Sequence, residues 1–151
     1  MKYTVDIVIE VPLDICTKMF DTIENLKHWQ RGFISVEHVS GTPGAFGSKM
    51  KTHYKVGKNQ MALIETITHK NLPYEVHSTY NIDGLDDIQE NYFGPTPENF
   101  TKWVSVNEFV PLNFKMRMMI WLMPKTFKKQ TLQYMKDFKN FAEKGISVSH
   151  A

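Results

Sequence analysis

The chain has 151 residues, which fits a single domain with one hydrophobic core. Hydrophobic residues make up 42% of the sequence and aromatic residues 13%, so the composition excludes a disordered chain. The 18 Lys and Arg against 16 Asp and Glu give a formal net charge of +2, which by itself requires neither a nucleic acid nor a membrane as partner. Only Arg31 and Arg117 are arginines, and recognition of phosphate and guanine favours arginine, so we expect no nucleic-acid partner.

The sequence offers no pattern for a metal or a cofactor. Cys16 is the only cysteine, which excludes an internal disulfide and a thiolate metal cluster. The six histidines show no ligand spacing, and Gly41, Gly44 and Gly47 match neither a phosphate-binding loop nor a dinucleotide fingerprint. We therefore expect neither a metal nor a cofactor.

The hydropathy pattern predicts a cytoplasmic protein. Residues 1–11 alternate between polar and apolar side chains and carry charges, unlike a signal peptide. The longest apolar run, residues 118–123, is far shorter than the roughly 20 residues of a membrane-spanning helix. We expect no stable insertion into a membrane.

The N-terminal part predicts one strand followed by two short helices. Residues 2–11 alternate as a strand with one buried face does. Pro12 suits the first turn of a helix, where its missing N–H has no cost. Asp21 and Glu24 have the spacing of a capping box for a second short helix that continues through Trp29.

The middle of the chain predicts an antiparallel sheet. Short breaks rich in Gly, Pro and Asn separate stretches with strand-like composition, and connections this short join neighbouring antiparallel strands. The six predicted strands are residues 33–40, 48–56, 60–69, 74–82, 87–93 and 100–110.

The C-terminal part predicts helices. Residues 112–123 are dense in apolar side chains that do not alternate, so a helix begins there. Residues 124–144 carry an apolar stripe at helical spacing from Phe127 to Phe141, and Gly145 ends the helix. At 1.5 Å per residue this helix is about 31 Å long, enough to cross the sheet.

This order of elements resembles the helix-grip fold of the START-like superfamily (SRPBCC), in particular its polyketide cyclase/dehydrase and lipid-transfer group. The resemblance extends over residues 2–144 and implies one α+β domain, residues 1–151. Its seven-stranded antiparallel sheet curls around a long C-terminal helix, with two short helices between the first and second strands. The resemblance is carried by Ile9-Glu-Val-Pro12, Trp29, the loop from Gly41 to Gly47 with the following Ser-Lys-Met, the turn at Leu72-Pro73, Thr101-Lys102-Trp103 and the terminal helix.

The resemblance also implies an internal cavity between the sheet and the long helix. Relatives use this cavity to carry lipids, sterols or polyketides or to cyclise them, while others are protein-binding modules. We expect binding or transport of an apolar or amphipathic small molecule, lipid- or polyketide-like, as the partner. The alternatives are a cyclase/dehydratase-type enzyme with a cavity Glu as general base, and a protein-interaction module. No catalytic motif of the family falls on numbered positions here, so the sequence leaves catalysis undecided.

The predicted strand phases and the apolar stripe of the last helix predict which residues form the cavity wall. Short-turn pairing continues one apolar face from strand to strand, and this face should point inward. The expected sheet wall is Met50, Tyr54, Leu63, Tyr80, Tyr92 and Val104. The expected helix wall is Met123, Phe127, Tyr134 and Phe138, with Glu65 and Glu90 as polar anchors.

Three carboxylates, Glu65, Glu90 and Glu108, fall on this apolar phase. An unpaired carboxylate inside a cavity is costly, so each needs a donor or a raised pKa. The predicted pairing offers Ser78 opposite Glu65 and Tyr80 opposite Glu90. The alternatives are a solvated rim, or a one-residue slip of register that turns the carboxylates outward.

The segment 114–123 is apolar nearly all round. Such a segment is buried on several sides, lines a cavity or meets a partner, and a homodimer interface is one form of the last. Five of the nine Met fall in residues 116–135, and Met side chains suit a pocket for varied apolar ligands. The Met excess therefore favours an adaptable cavity wall, with plain core packing as the competing interpretation.

Overall fold

The computed structural model describes residues 1–149 and has the predicted order of helices and strands. Seven antiparallel strands form one sheet in the order β1-β7-β6-β5-β4-β3-β2, so the predicted fold is confirmed. The elements are β1 (Lys2–Ile9), α1 (Leu13–Asp21), a 3-10 turn (Ile23–Asn25), α2 (Leu26–Trp29), β2 (Phe33–Ser40), β3 (Lys49–Val56), β4 (Asn59–Asn71), β5 (Glu75–Ile82), β6 (Leu85–Pro95), β7 (Thr101–Pro111), α3 (Phe114–Leu122) and α4 (Pro124–Lys144).

Helix α4 lies against the inner face of the sheet, where it packs on β1 and α2. Met135 and Phe138 of α4 are fully buried. The Phe138 ring packs edge-on against Phe20, Trp29 and Trp103 at centroid distances of 5.9, 5.2 and 5.5 Å. This aromatic cluster is the centre of the core, because side chains from α1, α2, β7 and α4 all meet in it.

A two-residue turn fixes the register between β5 and β6. Asp83 and Gly84 connect the strands, and Ile82 pairs with Leu85. Gly84 has φ of 75°, a conformation that favours glycine, and a Cβ there would lie 2.5 Å from the Asn113 side chain. Tyr80 therefore pairs with Asp87, and the predicted pairing of Tyr80 with Glu90 is wrong by three positions.

That error places three predicted cavity residues on the wrong face of the sheet. A shift by an odd number of residues turns a strand over. The inner face of β6 carries Asp87, Asn91 and Phe93, whereas Glu90 and Tyr92 lie on the outer face and hydrogen-bond each other.

The predicted inner face of β7 is wrong for the same reason, because Tyr92 pairs directly with Val104 and the two side chains lie on the same face of the sheet. Its buried inner residues are the odd-numbered ones from Thr101 to Phe109, so Val104 and Glu108 also point outward. Of the three carboxylates on the predicted apolar phase, Glu90 and Glu108 therefore lie on the outer face, as follows from a register slip by an odd number of positions.

A partly buried ion pair joins the segment after α2 to α4. Arg31 donates from Nε to Asp137 Oδ2 at 2.7 Å and from Nη2 to Oδ1 at 3.1 Å. Gln133 adds a third hydrogen bond, to Oδ1 at 3.0 Å. The Asp137 side chain is only 3% exposed, so its negative charge depends on these donors for compensation.

Substitution Arg31→Ala should lower the free energy of unfolding by about 1–3 kcal/mol, because it leaves the Asp137 carboxylate buried without its cation. Urea denaturation monitored by circular dichroism measures this difference. The matched control is Arg117→Ala, which removes the other arginine from an exposed site and should change stability by less than about 0.5 kcal/mol. Equal losses in the two variants would contradict the assignment.

Candidate functional site

An internal cavity with two adjacent lobes lies beneath the helices. The α4 lobe lies between the sheet and the N-terminal half of α4 and has a volume of about 190 Å³. The loop lobe lies beneath the α1–α2 segment and the β2–β3 loop and has a volume of about 160 Å³. Phe20, Trp29, Gln30 and Tyr80 contribute to the walls of both lobes, so the central aromatic cluster separates them.

Six of the twelve predicted site residues line this cavity. Strands β3 to β5 have the predicted phase, although Glu65 pairs with Tyr80 and not with Ser78. A shift of two positions keeps every side chain on its face, so this error in register does not move the wall. The six residues are Met50 and Glu65 in the loop lobe, Tyr54, Leu63 and Tyr134 in the α4 lobe, and Tyr80 in both.

The three remaining helix residues do not line either lobe. Met123 is exposed in the link between α3 and α4. Phe127 packs against Phe109, with ring centroids 4.8 Å apart, and Phe138 is fully buried in the aromatic cluster. The expected wall positions are wrong for Met123 because it lies in the exposed link before α4, and for Phe127 and Phe138 because they pack onto other aromatic rings.

Asp87 is a buried carboxyl in the cavity wall that the sequence did not predict. It lies on the inner face of β6, lines the α4 lobe and is 9% exposed. Among the described residues no hydrogen-bond partner reaches its buried Oδ1 atom. Burial raises the pKa of this carboxyl from 3.8 to about 7. The dipeptide Asp83-Gly84 was the signal that could have placed it, since Asp-Gly is typical of two-residue hairpin turns.

Glu65 places a second carboxyl in the loop lobe. Ser78 Oγ donates to Glu65 Oε2 at 2.7 Å, although the residue directly opposite Glu65 is Tyr80. Burial raises the pKa of Glu65, and hydrogen bonding from the Ser78 and Tyr80 hydroxyl groups opposes that rise. Each lobe therefore contains one buried carboxyl group that tends to hold its proton.

Tyrosine hydroxyl groups supply further polar atoms to the cavity. Tyr54 donates a hydrogen bond to Gln30 Oε1, which ties β3 to the end of α2. Burial raises the pKa of Tyr54, Tyr80 and Tyr134, so all three remain neutral hydroxyl groups. These groups can donate or accept a hydrogen bond without bringing a charge into the cavity.

A chain of hydrogen-bonded side chains forms the polar floor along β6 and β7. It begins where Trp103 Nε1 donates to Asn91 Oδ1 at 2.8 Å and Asn91 Nδ2 donates to Gln89 Oε1 at 3.0 Å. It continues from Gln89 Nε2 to Asn107 Oδ1 and from Asn107 Nδ2 to Ser105 Oγ, each at 2.9 Å. The chain satisfies these buried groups and brings Gln89 and Ser105 to the α4 lobe.

Residues 1–149 contain neither a cluster of side chains placed to bind a metal nor a helix able to span a membrane. Within that range no group of three or more His, Cys, Asp or Glu side chains is placed to hold a metal ion. The helices in the same range also include none with the length and apolar character needed to cross a membrane.

Solved structures share this architecture at low sequence identity. Ara h 8.0201 superposes with a TM-score of 0.73 at 14% identity, covering 94% of this chain and 97% of that chain. The major latex-like protein 151 of Panax ginseng has a TM-score of 0.72 at 14% identity, with the same coverage. An AHSA1-like protein from Aeromonas hydrophila has a TM-score of 0.70 at 15% identity, covering 95% and 92%. No protein-family model and no curated protein matches the sequence.

These neighbours have the helix-grip fold, and this chain shares it. The resemblance inferred from the sequence is confirmed at that level. Identities of 14–15% show the fold alone, so the use of the cavity has to be argued from its own residues.

Stability should fall as pH rises from 3.8 to about 7, because folded Asp87 holds its proton more tightly than the unfolded chain does. Burial of Glu65 acts in the same direction. Substitution Asp87→Asn, which makes the side chain permanently neutral, should flatten this pH dependence. At about pH 8 it should raise the free energy of unfolding by about 2 kcal/mol. Chemical denaturation across the pH range measures both effects.

The matched control is Asp86→Asn, which removes the same charge one residue earlier, on the outer face of β6. This variant should keep the pH dependence of the wild-type protein. If Asp86→Asn and Asp87→Asn change the pH dependence equally, the burial of Asp87 is not its cause.

Proposed function

We propose that this protein binds an apolar or amphipathic small molecule, of lipid or polyketide type, in the two lobes of its cavity. The observation that carries this proposal is the combination of apolar walls with one buried carboxyl group in each lobe. Concave apolar walls with a few polar groups are typical of small-molecule sites. Asp87 supplies such a polar group, because its buried Oδ1 has no hydrogen-bond partner among the described residues.

The size of the lobes limits the ligand. A cavity of about 150 Å³ holds one benzene-sized molecule. The volumes of about 190 and 160 Å³ therefore suit a ring-sized group in each lobe. A ligand that filled both lobes would pass the shared wall at Tyr80 and Gln30.

The polar atoms define the chemistry of the proposed ligand. Asp87 Oδ1 can accept a hydrogen bond from a ligand hydroxyl or N–H group in the α4 lobe. Gln89 and Ser105 extend the polar floor beside it. The surrounding wall of Leu63, Met61 and Phe109 is apolar, so the remainder of the ligand should be apolar as well.

A second candidate function is acid–base catalysis on such a molecule. Asp87 has a pKa of about 7, which is suited to a general acid or base near neutral pH. This differs from the predicted use of Glu90 as an anchor, since that residue lies outside the cavity. Native mass spectrometry of freshly purified protein distinguishes the two functions, because a carrier retains an unchanged small molecule whereas an enzyme releases an altered one.

Substitution Leu63→Trp should lower the affinity for N-phenyl-1-naphthylamine, a neutral apolar probe with one N–H group, by about tenfold, because it overfills the α4 lobe. Probe fluorescence, excited where tryptophan does not absorb, measures the affinity. The control Ile64→Trp places the same side chain at the next position, on the outer face of β4, and should bind the probe as the wild type does. Absence of binding by the wild type, or equal binding by the two variants, would contradict the proposal.

A further inference from the structure

Helix α3 carries an apolar surface that the rest of the described chain does not cover. Leu112 N donates to Gly84 O at 2.9 Å, which fixes the start of this segment to the β5–β6 turn. None of the nine residues of α3 is fully buried. Phe114 and Trp121 are 75% and 73% exposed, and Leu122 and Met118 are also exposed.

The spacing of residues divides α3 into two apolar faces. At 100° per residue, Phe114, Met118, Trp121 and Leu122 occupy one contiguous stripe at positions i, i+4, i+7 and i+8. The half-buried residues of the helix, Met116, Met119 and Ile120, lie on the opposite side, toward the protein. The exposed stripe is therefore a second apolar face, in addition to the one that attaches α3 to the protein.

Basic side chains flank the exposed stripe on both sides. On the helical wheel, Lys115 lies beside Leu122, and Arg117 lies beside Trp121. Both basic residues are exposed, and so are Lys125, Lys128 and Lys129 in the first turns of α4.

The charge of this part of the chain differs from that of the whole protein. Residues 109–136 contain six basic residues and no acidic residue, whereas the whole chain has a net charge of only +2. Acidic residues near the start of α3 include Asp83 and Asp86 of the β5–β6 hairpin, and Asp87 beside them faces the cavity. Asp86 Oδ1 accepts a hydrogen bond from Asn81.

We propose that the exposed face of α3 docks on the surface of an anionic lipid bilayer. Trp, Phe and Leu on one face with Lys and Arg at its borders is the pattern of a helix that lies in the membrane interface. The basic residues complement anionic lipid phosphates, and the apolar stripe enters the boundary of the acyl chains. The indole N–H of Trp121 stays at the level of the headgroups, where tryptophan is enriched.

This surface is separate from the cavity, because no residue of α3 lines either lobe. Docking is therefore independent of the proposed ligand binding. The variant Leu63→Trp should dock as the wild-type protein does, and failure of either proposal leaves the other standing.

The protein contains an intrinsic reporter for this interaction. Trp29 and Trp103 are buried, whereas Trp121 is exposed, so a change of environment at the docking face alters the emission of Trp121. Vesicles made of equal parts phosphatidylcholine and phosphatidylserine should shift the emission to shorter wavelength, and brominated lipids should quench it. Vesicles of phosphatidylcholine alone should bind more weakly, and added salt should weaken the binding to anionic vesicles.

Two sets of variants test the contributions of the two kinds of residue by vesicle flotation. Trp121→Ser should lower the partition coefficient by about tenfold, because it removes the largest apolar side chain of the stripe. Its matched control is Phe46→Ser, which removes an aromatic residue that is 75% exposed on the β2–β3 loop and should leave partition unchanged. Lys128→Ala and Lys129→Ala should each lower partition by about fivefold, whereas Lys51→Ala on the outer face of β3 should not.

The proposal is overturned if the wild-type protein neither floats with anionic vesicles nor changes its tryptophan emission. It is also overturned if Phe46→Ser and Trp121→Ser lose partition equally. A shift of Trp121 emission that depends on protein concentration without vesicles, together with a dimer in sedimentation, would assign the face to a second copy of the chain and reject the bilayer.

Discussion

The aromatic cluster around Phe138 is the contact on which the rest of the interior depends. Phe138 fixes α4 over the sheet, and its partners Phe20, Trp29 and Trp103 come from α1, α2 and β7. The α4 lobe lies beside this cluster, between α4 and the sheet, and Trp103 also lines it. The loop lobe lies beneath α1, α2 and the β2–β3 loop, and no α4 residue lines it. Phe20 and Trp29 line both lobes, so the packing of the cluster sets the boundary that the two lobes share.

The two buried carboxyl groups, Glu65 and Asp87, both line that cavity. An apolar residue at position 87 would remove an uncompensated polar atom and, with it, the stability that is lost near neutral pH. The same interior satisfies Asn91, Asn107 and Gln89 with mutual hydrogen bonds, so buried polar groups are otherwise matched along this floor. Asp87, at the end of that floor, departs from the rule. A buried carboxyl of this kind in the wall of a cavity is typical of a binding or reacting site.

The sequence predicted the order of the elements and the inner face of β3, β4 and β5, because alternation and short turns specify both. It did not predict the inner face of β6 and β7, because an error in register by an odd number of positions moves every side chain of a strand to the other face of the sheet. Ile82 pairs with Leu85, so only Asp83 and Gly84 connect β5 and β6. The predicted connection was longer, and this error exchanged the inner and outer faces of both β6 and β7. Glu90, Tyr92 and Val104 were misplaced for this single reason. The positions of Phe127 and Phe138 were also not predictable, because helical spacing shows that a residue faces the core but not which aromatic rings it contacts there.

Most methionines of the C-terminal region do not line the cavity, although their number in the sequence had suggested that they would. Of the five Met in residues 116–135, only Met135 lines the cavity. Met116 and Met119 attach α3 to the protein, whereas Met118 and Met123 are exposed. Flexible Met side chains also suit a binding surface that adapts to its partner. Of the alternatives that the sequence left open for residues 114–123, the structure therefore favours contact with a partner over a cavity wall, because none of these residues lines either lobe.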